Sequence, residues 1–372
     1  MPELLPGTNT GFLIRPPRAG AWLTDGETGI AKEILEPSGQ FDVYLPDEEA
    51  QATFNPFLFD TSACVTFSGT NDLETLLTRL RSKTQLPTTH EAFLLNSGYI
   101  NKQSGKINFS DRFSAKMSGT TKKGNYLEAV GDSFRRDGLL PESDWAFPDM
   151  SDVQNDGEAK WQRYYAEISS ELKDKARKFL DYFDINYQWV IVGTSDNNKL
   201  RENLQYGPVQ IASSVCPPWN SNDGQPPIPS CGCGAQHATL IYGYRTDLAL
   251  KDFDHYKSYR KLLAPDYCIQ WGFQYTLKAK ALVLIPAFHY IFKINLAFGM
   301  PDTPEVRNLQ RALQTVKRAD GTPYMKAGVF GPYGPTTRNA VALFQADKGI
   351  STTDGGVHFG PKTRTVMNAL LV

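Results

Sequence analysis

The spacing of apolar residues predicts helices in the first half of the chain. One pattern has helical spacing and is preceded by Asn71 and Asp72, which predicts an amphipathic helix capped at these two residues. A second pattern stops at Gly138, and a third extends to Phe183. The residues that carry the three patterns are Leu73, Leu76, Leu77 and Leu80; Tyr126, Ala129, Val130 and Phe134; and Trp161, Tyr165, Ile168, Leu172, Phe179 and Phe183.

From Trp189 onward the pattern changes to short apolar runs bounded by turn residues. Three of these runs predict buried strands, at Trp189–Val192, Val209–Ala212 and Ala238–Tyr244. Helices therefore precede strands along the chain, which is typical of an α+β fold.

The two ends of the chain differ from this central part. Residues 1–50 mix glycine, proline and acidic residues without a long periodic segment, which predicts an extended N-terminal arm. The central domain is predicted over residues 51–286. Residues 287–303 predict a linker, and helical spacing then resumes at Val306, Leu309, Leu313 and Val316, so residues 304–372 are predicted to form a separate small domain.

Composition narrows the classes of function. The 372 residues are 41% hydrophobic and 21% charged, which is enough to bury a sizeable core. Lysine and arginine number 39 against 40 acidic residues, a balance that argues against a nucleic-acid partner. No apolar stretch approaches the length of a membrane-spanning helix, and no secretory signal is recognisable, so we expect no membrane insertion and export, if any, by another route.

Three residues could together carry cysteine catalysis, which needs a thiol, a histidine to hold its proton and a polar group to orient the imidazole. Cys64 lies among small residues that allow a helix to begin nearby, and a helix N-terminus lowers the pKa of a thiol. His237 opens a predicted strand and could serve as the base. Asp254 could lie at the end of the neighbouring strand and accept the imidazole N–H.

The other cysteines allow several interpretations. The chain has five cysteines, an odd number, so at least one thiol stays free. Cys216, Cys231 and Cys233 with His237 nearby could bind zinc, but the spacing matches no known finger, and a metal on His237 would abolish its role as a base. We therefore favour a loop crosslink between Cys216 and Cys231 or Cys233, or free thiols, and predict no metal or cofactor. Cys268 is predicted to be a core residue.

Five ordered segments resemble the papain-like cysteine peptidases. They are Cys64-Val65-Thr66-Phe67-Ser68, Phe109-Ser110-Asp111-Arg112, the stretch from Gly124-Asn125-Tyr126 to Gly138-Leu139, Tyr206-Gly207-Pro208-Val209, and Gln236-His237-Ala238 followed by Tyr242-Gly243-Tyr244. The resemblance implies a helical half and an antiparallel β half over residues 51–286. It also implies that Cys64 is the nucleophile and His237 the base.

The chain departs from this family at two functional positions. The orienting residue of the family is usually an asparagine, whereas this chain offers Asp254, which can accept the same hydrogen bond. Leu58 stands where the family has a glutamine that stabilises the oxyanion, so Gln51 or Asn55 would have to supply that donor. The interval between Cys64 and His237 is longer than in the simplest members, and the Trp161–Phe183 region accounts for the excess.

The C-terminal segment contains an internal repeat, in which Phe330-Gly331-Pro332 and Phe359-Gly360-Pro361 each lead into a Thr-Arg helix start. It resembles a small three-helix peptidoglycan-binding domain. Leu309, Leu313, Val341 and Phe344 are expected in its core. The additional Tyr333-Gly334-Pro335 is expected to lengthen a turn at the ligand edge.

These features predict a cysteine peptidase or amidase directed to the bacterial cell wall. Its expected partners are peptidoglycan and a peptide or protein substrate, and it would act outside the cell or as part of a virion, as a phage lysin or virion-associated enzyme does. The alternative is an inactive structural or adhesive virion protein that uses both domains for docking to other virion proteins.

Overall fold

The chain forms two compact units, Met1–Ala281 and Leu282–Val372. The computed structural model describes residues 11–18, 21, 33–54, 58–153, 155–219, 226–281, 290–318, 320–326, 330–351 and 355–371. Within these residues no helix combines the length and the apolar character needed to span a membrane. The first unit contains a helical part followed by an antiparallel sheet, which confirms the predicted α+β fold.

The central helix α1 (Cys64–Ser82) begins seven residues earlier than the sequence pattern predicted. Asn71 and Asp72 lie buried in its interior and do not cap it, so that prediction was wrong. The physical reason is that α1 packs between the sheet and the other helices and is therefore buried on most sides, without a polar face to mark its start. Hydroxyl groups inside the helix donate to carbonyls four residues earlier, as from Ser68 Oγ to Cys64 O at 2.7 Å.

Six further helices complete the helical part. They are α2 (Thr88–Asn96), α3 (Asp111–Met117), α4 (Leu127–Asp137), α5 (Gly157–Tyr164), α6 (Ser170–Tyr182) and α7 (Asn198–Asn203). The helix predicted to stop at Gly138 is confirmed as α4, and Gly138 ends it with a positive φ of 75°. The Trp161–Phe183 region contains two helices, because Ser169 caps a new one by accepting a hydrogen bond from Leu172 N.

The sheet has six antiparallel strands in the order β3-β8-β4-β5-β6-β7. Their bounds are β3 (Phe183–Thr194), β4 (Val209–Ser213), β5 (His237–Tyr244), β6 (Leu250–Phe253), β7 (Arg260–Leu263) and β8 (Ile269–Ala279). A short hairpin, β1 (Ala52–Phe54) with β2 (Leu58–Asp60), precedes α1. All three predicted strands are present, in β3, β4 and β5. One apolar cluster joins the sheet to α1 and α4, and a second includes Val209, Ile211 and Ile241.

The described parts of residues 11–50 contact the rest of the first unit. Phe41 is buried and its N–H donates to Tyr242 O, while Glu36 accepts from Arg79 Nε of α1 at 3.0 Å. Apart from the short 3-10 helix Asp42–Tyr44 and one isolated bridge at Phe12, the described backbone here is irregular. The segment predicted as an extended arm thus packs into the apolar clusters of the first unit, with Phe12, Phe41 and Leu45 buried.

The second unit contains three helices among its described residues, α8 (Pro304–Thr315), α9 (Pro335–Asp347) and α10 (Pro361–Leu370). Strands β9 (Leu296–Ala297) and β10 (His358–Phe359) pair antiparallel. Phe292 and Leu296, which the sequence analysis assigned to a linker, are buried in the core of this unit. The four residues expected in the core, Leu309, Leu313, Val341 and Phe344, are all buried.

The internal repeat of the second unit is visible in its hydrogen bonds. Gln310 Nε2 of α8 donates to Thr337 Oγ1 at the start of α9 at 3.0 Å, and Gln345 Nε2 of α9 donates to Thr363 Oγ1 at the start of α10 at 3.0 Å. In both copies of the repeat, a glutamine of one helix therefore holds the first turn of the next helix through a threonine hydroxyl. Tyr333, expected at an exposed ligand edge, is fully buried and donates to Gly356 O at 2.9 Å.

Candidate active site

Cys64 is the first residue of α1, where it faces the beginning of β5. Ala63 occupies the N-cap position without a side-chain hydrogen bond, and its carbonyl accepts from the backbone N–H groups of Thr66 and Phe67. The Cys64 thiol is fully buried and accepts a hydrogen bond from the backbone N–H of Ala238, the second residue of β5. Burial raises the pKa of the thiol well above its usual range and outweighs the effect of that bond. Burial therefore favours the protonated form of the thiol.

His237 and Asp254 are in direct contact. His237 Nε2 lies 2.7 Å from Asp254 Oδ1, and both side chains are completely buried. The other ring nitrogen of His237, Nδ1, has no hydrogen-bond partner among the described residues. β5 carries His237 next to Ala238, whose backbone N–H lies near the Cys64 thiol, and the charge of Asp254 also acts on that thiol. The structure thus places His237 and Asp254 in direct contact and Cys64 beside the start of β5, and the catalytic role of the three residues stays a prediction.

The Asp254 carboxylate accepts hydrogen bonds from four donors. Oδ1 accepts from His237 Nε2 and from the backbone N–H of His255, each at 2.7 Å. Oδ2 lies 2.8 Å from Trp219 Nε1 and 2.9 Å from Lys261 Nζ. Asp254 follows directly after β6, and its own N–H donates to Tyr259 O across the turn into β7. Both oxygens are thus held in fixed directions.

Burial and neighbouring charges shift the pKa values of Asp254, Asp252 and His255. Burial alone would raise the pKa of Asp254, but the charge of Lys261 and the contact with His237 hold that pKa well below its usual range. Asp252, two residues earlier on β6, is also buried, and burial and the charge of Asp254 raise its pKa to about 8 against the weaker opposing effects of Thr239 and Lys261. Burial lowers the pKa of His255 to about 3.

Of the two candidate oxyanion donors, Gln51 lies close to this group of residues. It is fully buried, and its Nε2 donates to Asp60 Oδ1 at 2.8 Å and to Tyr256 Oη at 2.7 Å. The Tyr256 ring is 5.3 Å from the His237 ring between centroids. Both amide hydrogens of Gln51 are therefore engaged in this structure. Asn55 lies outside the described residues.

Two disulfides replace the alternatives that the cysteine spacing left open. Cys216 pairs with Cys231, and Cys233 pairs with Cys268, while Cys64 is the free cysteine. The prediction of a Cys216 crosslink is confirmed in its Cys231 form. The prediction for Cys268 was incomplete, because this buried residue sits immediately before β8, where the Cys233 loop comes within bonding distance.

Sequence analysis missed two residues that contact Asp254. Trp219 lies in the loop closed by the Cys216–Cys231 disulfide, and Lys261 is the second residue of β7. The Arg260-Lys261 pair looks like the polar start of a strand, so the sequence contains no sign that Lys261 is buried. The burial of Lys261 could be recognised only from the register of β6 with β7, in which Lys261 lies opposite Asp252.

Among the described residues, one group of histidine and carboxylate side chains is close enough to ligate a metal. It consists of His237, Asp254 and His255, whose candidate ligand atoms lie within 4.8 Å of one another. The donors of this group do not suit a cation, because Asp254 already receives four hydrogen bonds and one of its donors is the Lys261 ammonium. The group is better explained as a hydrogen-bonded cluster around a carboxylate.

A segment near the N-terminus packs against the residues that precede Cys64. Leu13 N donates to Asn125 O at 2.8 Å, and Asn125 N donates to Gly11 O at 2.9 Å, so Phe12 pairs in parallel with Asn125. A Cβ at Gly11 would lie 2.2 Å from the carbonyl oxygen of Ser62, two residues before Cys64, which only glycine permits. Phe12 belongs to the same buried apolar cluster as Cys64. The segment therefore limits access to the thiol.

Comparison with known proteins separates the two units. Residues 302–367 match the family model described as "Putative peptidoglycan binding domain", which confirms the prediction for the C-terminal segment. No curated protein matches the chain.

Solved structures similar to the chain are cysteine proteases of the papain-like kind that the sequence motifs resemble. Xylellain from Xylella fastidiosa is 17% identical, with 74% of this chain and 97% of that chain covered and a TM-score of 0.44. Bromelain from Ananas comosus is 11% identical, with 65% and 97% covered and a TM-score of 0.40. Procathepsin L2 from Tenebrio molitor is 12% identical, with 72% and 78% covered and a TM-score of 0.43. Likeness at this level says nothing about the chemistry of the site.

Proposed function

We propose that this protein is a cysteine peptidase or amidase that acts on the peptide part of peptidoglycan or on a protein of the bacterial envelope. The observation that carries the proposal is the buried arrangement of Cys64 at a helix start, His237 with its Nδ1 unpartnered, and Asp254 2.7 Å from Nε2. This arrangement contains a nucleophile, a base and an orienting group. The peptidoglycan-binding match over residues 302–367 supports the cell wall as the place of action.

In the proposed reaction, His237 Nδ1 takes the proton of the Cys64 thiol, and the thiolate attacks the carbonyl carbon of the scissile bond. His237 then gives that proton to the leaving amine, and a water molecule hydrolyses the thioester and regenerates the thiol. Asp254 fixes the ring so that Nδ1 points away from the carboxylate. The backbone N–H of Cys64 and the amide of Gln51 would receive the oxyanion, for which Gln51 has to release Asp60 or Tyr256. Asn55 remains an alternative donor.

The site of action follows from the same features. Two disulfides favour an oxidising environment, since such bonds are rare in the reducing cytosol. We place the protein outside the cell or in a virion, as expected for a lysin or a virion-borne enzyme that reaches the cell wall.

The first test removes the proposed reacting groups. Cys64→Ser and His237→Ala should each abolish hydrolysis of a soluble peptide or muropeptide while the melting temperature stays close to that of the wild type. An epoxide thiol inhibitor should label Cys64 and leave Cys64→Ala unmodified. Retained turnover in Cys64→Ser would refute the nucleophile.

The second test concerns the second unit. A chain that ends at Ala281 should cleave intact sacculi far more slowly than the full chain does, whereas cleavage of a short soluble peptide should change little. A fragment that begins at Leu282 should bind purified sacculi. Equal losses on both substrates would remove the targeting role.

The alternative function is docking without catalysis, as in a structural or adhesive virion component. The complete burial of Cys64 and the raised pKa of its thiol favour this alternative, because burial disfavours the thiolate, which is the nucleophilic form. Sacculus binding by the full chain, together with no labelling of Cys64 and no turnover under any condition, would establish it.

A further inference from the structure

The side chain of Lys261 is completely buried, and all three hydrogens of its ammonium group have acceptors. Nζ lies 2.9 Å from Asp254 Oδ2 and donates to Tyr256 O at 2.9 Å and to Ser258 O. It also lies 5.6 Å from the centre of the Trp219 ring. These contacts leave the ammonium group little freedom to turn, so its charge is fixed beside the carboxylate.

The ion pair between Lys261 and Asp254 changes the net charge beside His237. A lone buried carboxylate 2.7 Å from an imidazole would place a full negative charge there, at a high cost in desolvation. With Lys261 on the opposite oxygen, the pair has no net charge, and Oδ1 still accepts the imidazole N–H. The pair thus does what the neutral asparagine of the resembled family would do.

We propose that Lys261 is a positioning residue that neutralises Asp254, so that an ion pair takes the place of a neutral amide behind the catalytic histidine. This inference rests on the proposed thiol chemistry of Cys64. It explains why an aspartate is tolerated at this position, because the cation that makes it equivalent to an amide is supplied by the next strand.

Several titratable groups face this pair and could obscure its effect. His255 and Tyr256 follow Asp254 in the chain, His237 approaches from β5, and Asp252 of β6 lies opposite Lys261 in the strand register. The charges of Asp60 and Asp254 also act on Cys64. Asp252 is held in its neutral form below about pH 8 by burial first and by the charge of Asp254 second, so Asp254 is the carboxylate that Lys261 compensates.

The test measures the rate of Cys64 alkylation by iodoacetamide against pH in full-length variants. Lys261→Met leaves the carboxylate uncompensated, which should shift the midpoint for Cys64 to higher pH by about one unit. Asp254→Asn leaves the ammonium uncompensated and should shift it to lower pH. The double variant, Asp254→Asn with Lys261→Met, places a neutral amide beside a neutral side chain and should return the midpoint to near that of the wild type.

A control separates this role from a structural one. Lys251→Met removes a lysine that pairs with Asp42 away from the site and should leave the midpoint unchanged. If either single variant fails to fold, the double variant still decides. A double variant that folds but differs from the wild type in midpoint and turnover would overturn the proposal.

The measurement also distinguishes this inference from the proposed function. Alkylation does not require turnover, so shifts of opposite sign in a protein that hydrolyses nothing would support the pair and refute the peptidase. An alkylation profile that is unchanged by His237→Ala would refute the thiol chemistry itself. Shifts of the same sign in both single variants would overturn the neutralising role of Lys261.

Discussion

Buried carboxyl groups occur at two places in the first unit, and their pKa values are shifted in opposite directions. Burial acts to raise the pKa of Asp254, but Lys261 and His237 outweigh it and hold that pKa well below its usual range. In the second group, burial raises the pKa values of Glu74 and Asp111 well above the usual range and that of Glu142 to about 8. Burial is the largest influence in both groups, so burial alone does not determine which acid is charged.

The difference lies in where the nearest cation points. In the second group, Arg112 lines the same cavity of about 220 Å³ as Asp111 and Glu142, but its guanidinium donates to the backbone carbonyls of Ala146, Arg163 and Tyr164. Asp111 and Glu142 therefore take up protons and remain neutral. In the first group, Lys261 contacts the carboxylate directly at 2.9 Å. A buried acid stays charged when a cation shares a hydrogen bond with it.

The largest expected effect separates the two groups by stability. Asp254→Asn leaves Lys261 buried without its ion-pair partner and should lower the free energy of unfolding by about 3–5 kcal/mol, measured in urea. Asp111→Asn replaces a neutral acid with a neutral amide and should cost less than about 1 kcal/mol. Equal losses would mean that Asp111 is charged in the folded protein and that the comparison is wrong.

The second effect concerns pH. The folded protein raises the pKa of Glu142 from 4.5 to about 8, so between these values the folded state holds a proton that the unfolded state has released. This contribution is fully present below pH 4.5 and is lost as pH rises toward 8. Glu142→Gln should therefore reduce the loss of stability between pH 5 and 7 by about 2–3 kcal/mol, measured by urea unfolding at each pH. An identical pH dependence in the variant would contradict the raised pKa.

The smallest effect concerns a third buried acid with a cation from the N-terminal segment. Arg18 Nε lies 2.6 Å from Glu128 Oε2, and Glu128 is a buried residue of α4. Arg18 Nη2 contacts Asp132 of the same helix. Arg18→Ala should loosen residues 11–18 and increase the rate of Cys64 alkylation several-fold, since about 1 kcal/mol corresponds to a factor of five. Arg15→Ala, which removes only a contact with the Tyr126 ring, is the matched control. Unchanged alkylation in Arg18→Ala would show that this ion pair does not control access.

The site residues that lie in recognisable local motifs could be predicted from the sequence. The residues that approach the site only through the pairing of distant strands could not. Cys64 and His237 stand in recognisable segments, and Asp254 follows Phe253 at the predicted end of a strand. The β5 and β6 strands then bring His237 and Asp254 together. Lys261 carries no such mark, because its burial depends on the register of β6 with β7.

The start of α1 shows the same limit for secondary structure. A surface helix has a polar face that indicates where it begins, whereas α1 is buried from Cys64 onward and its hydroxyl groups bond within the helix. By contrast, α4 ends at a glycine that the sequence displays directly. Pairing of Cys233 with Cys268 could not be predicted, because it depends on where the loop before β5 meets the start of β8.

The burial of Cys64 also affects the stability of the two disulfides toward thiol exchange. Four of the five cysteines form disulfides, and a reactive fifth thiol could attack either bond and rearrange it. Such exchange needs a thiolate that reaches a sulfur atom, and burial of Cys64 both raises the pKa of its thiol and encloses it. The burial that restrains this thiol thereby also protects the two disulfides from exchange with it.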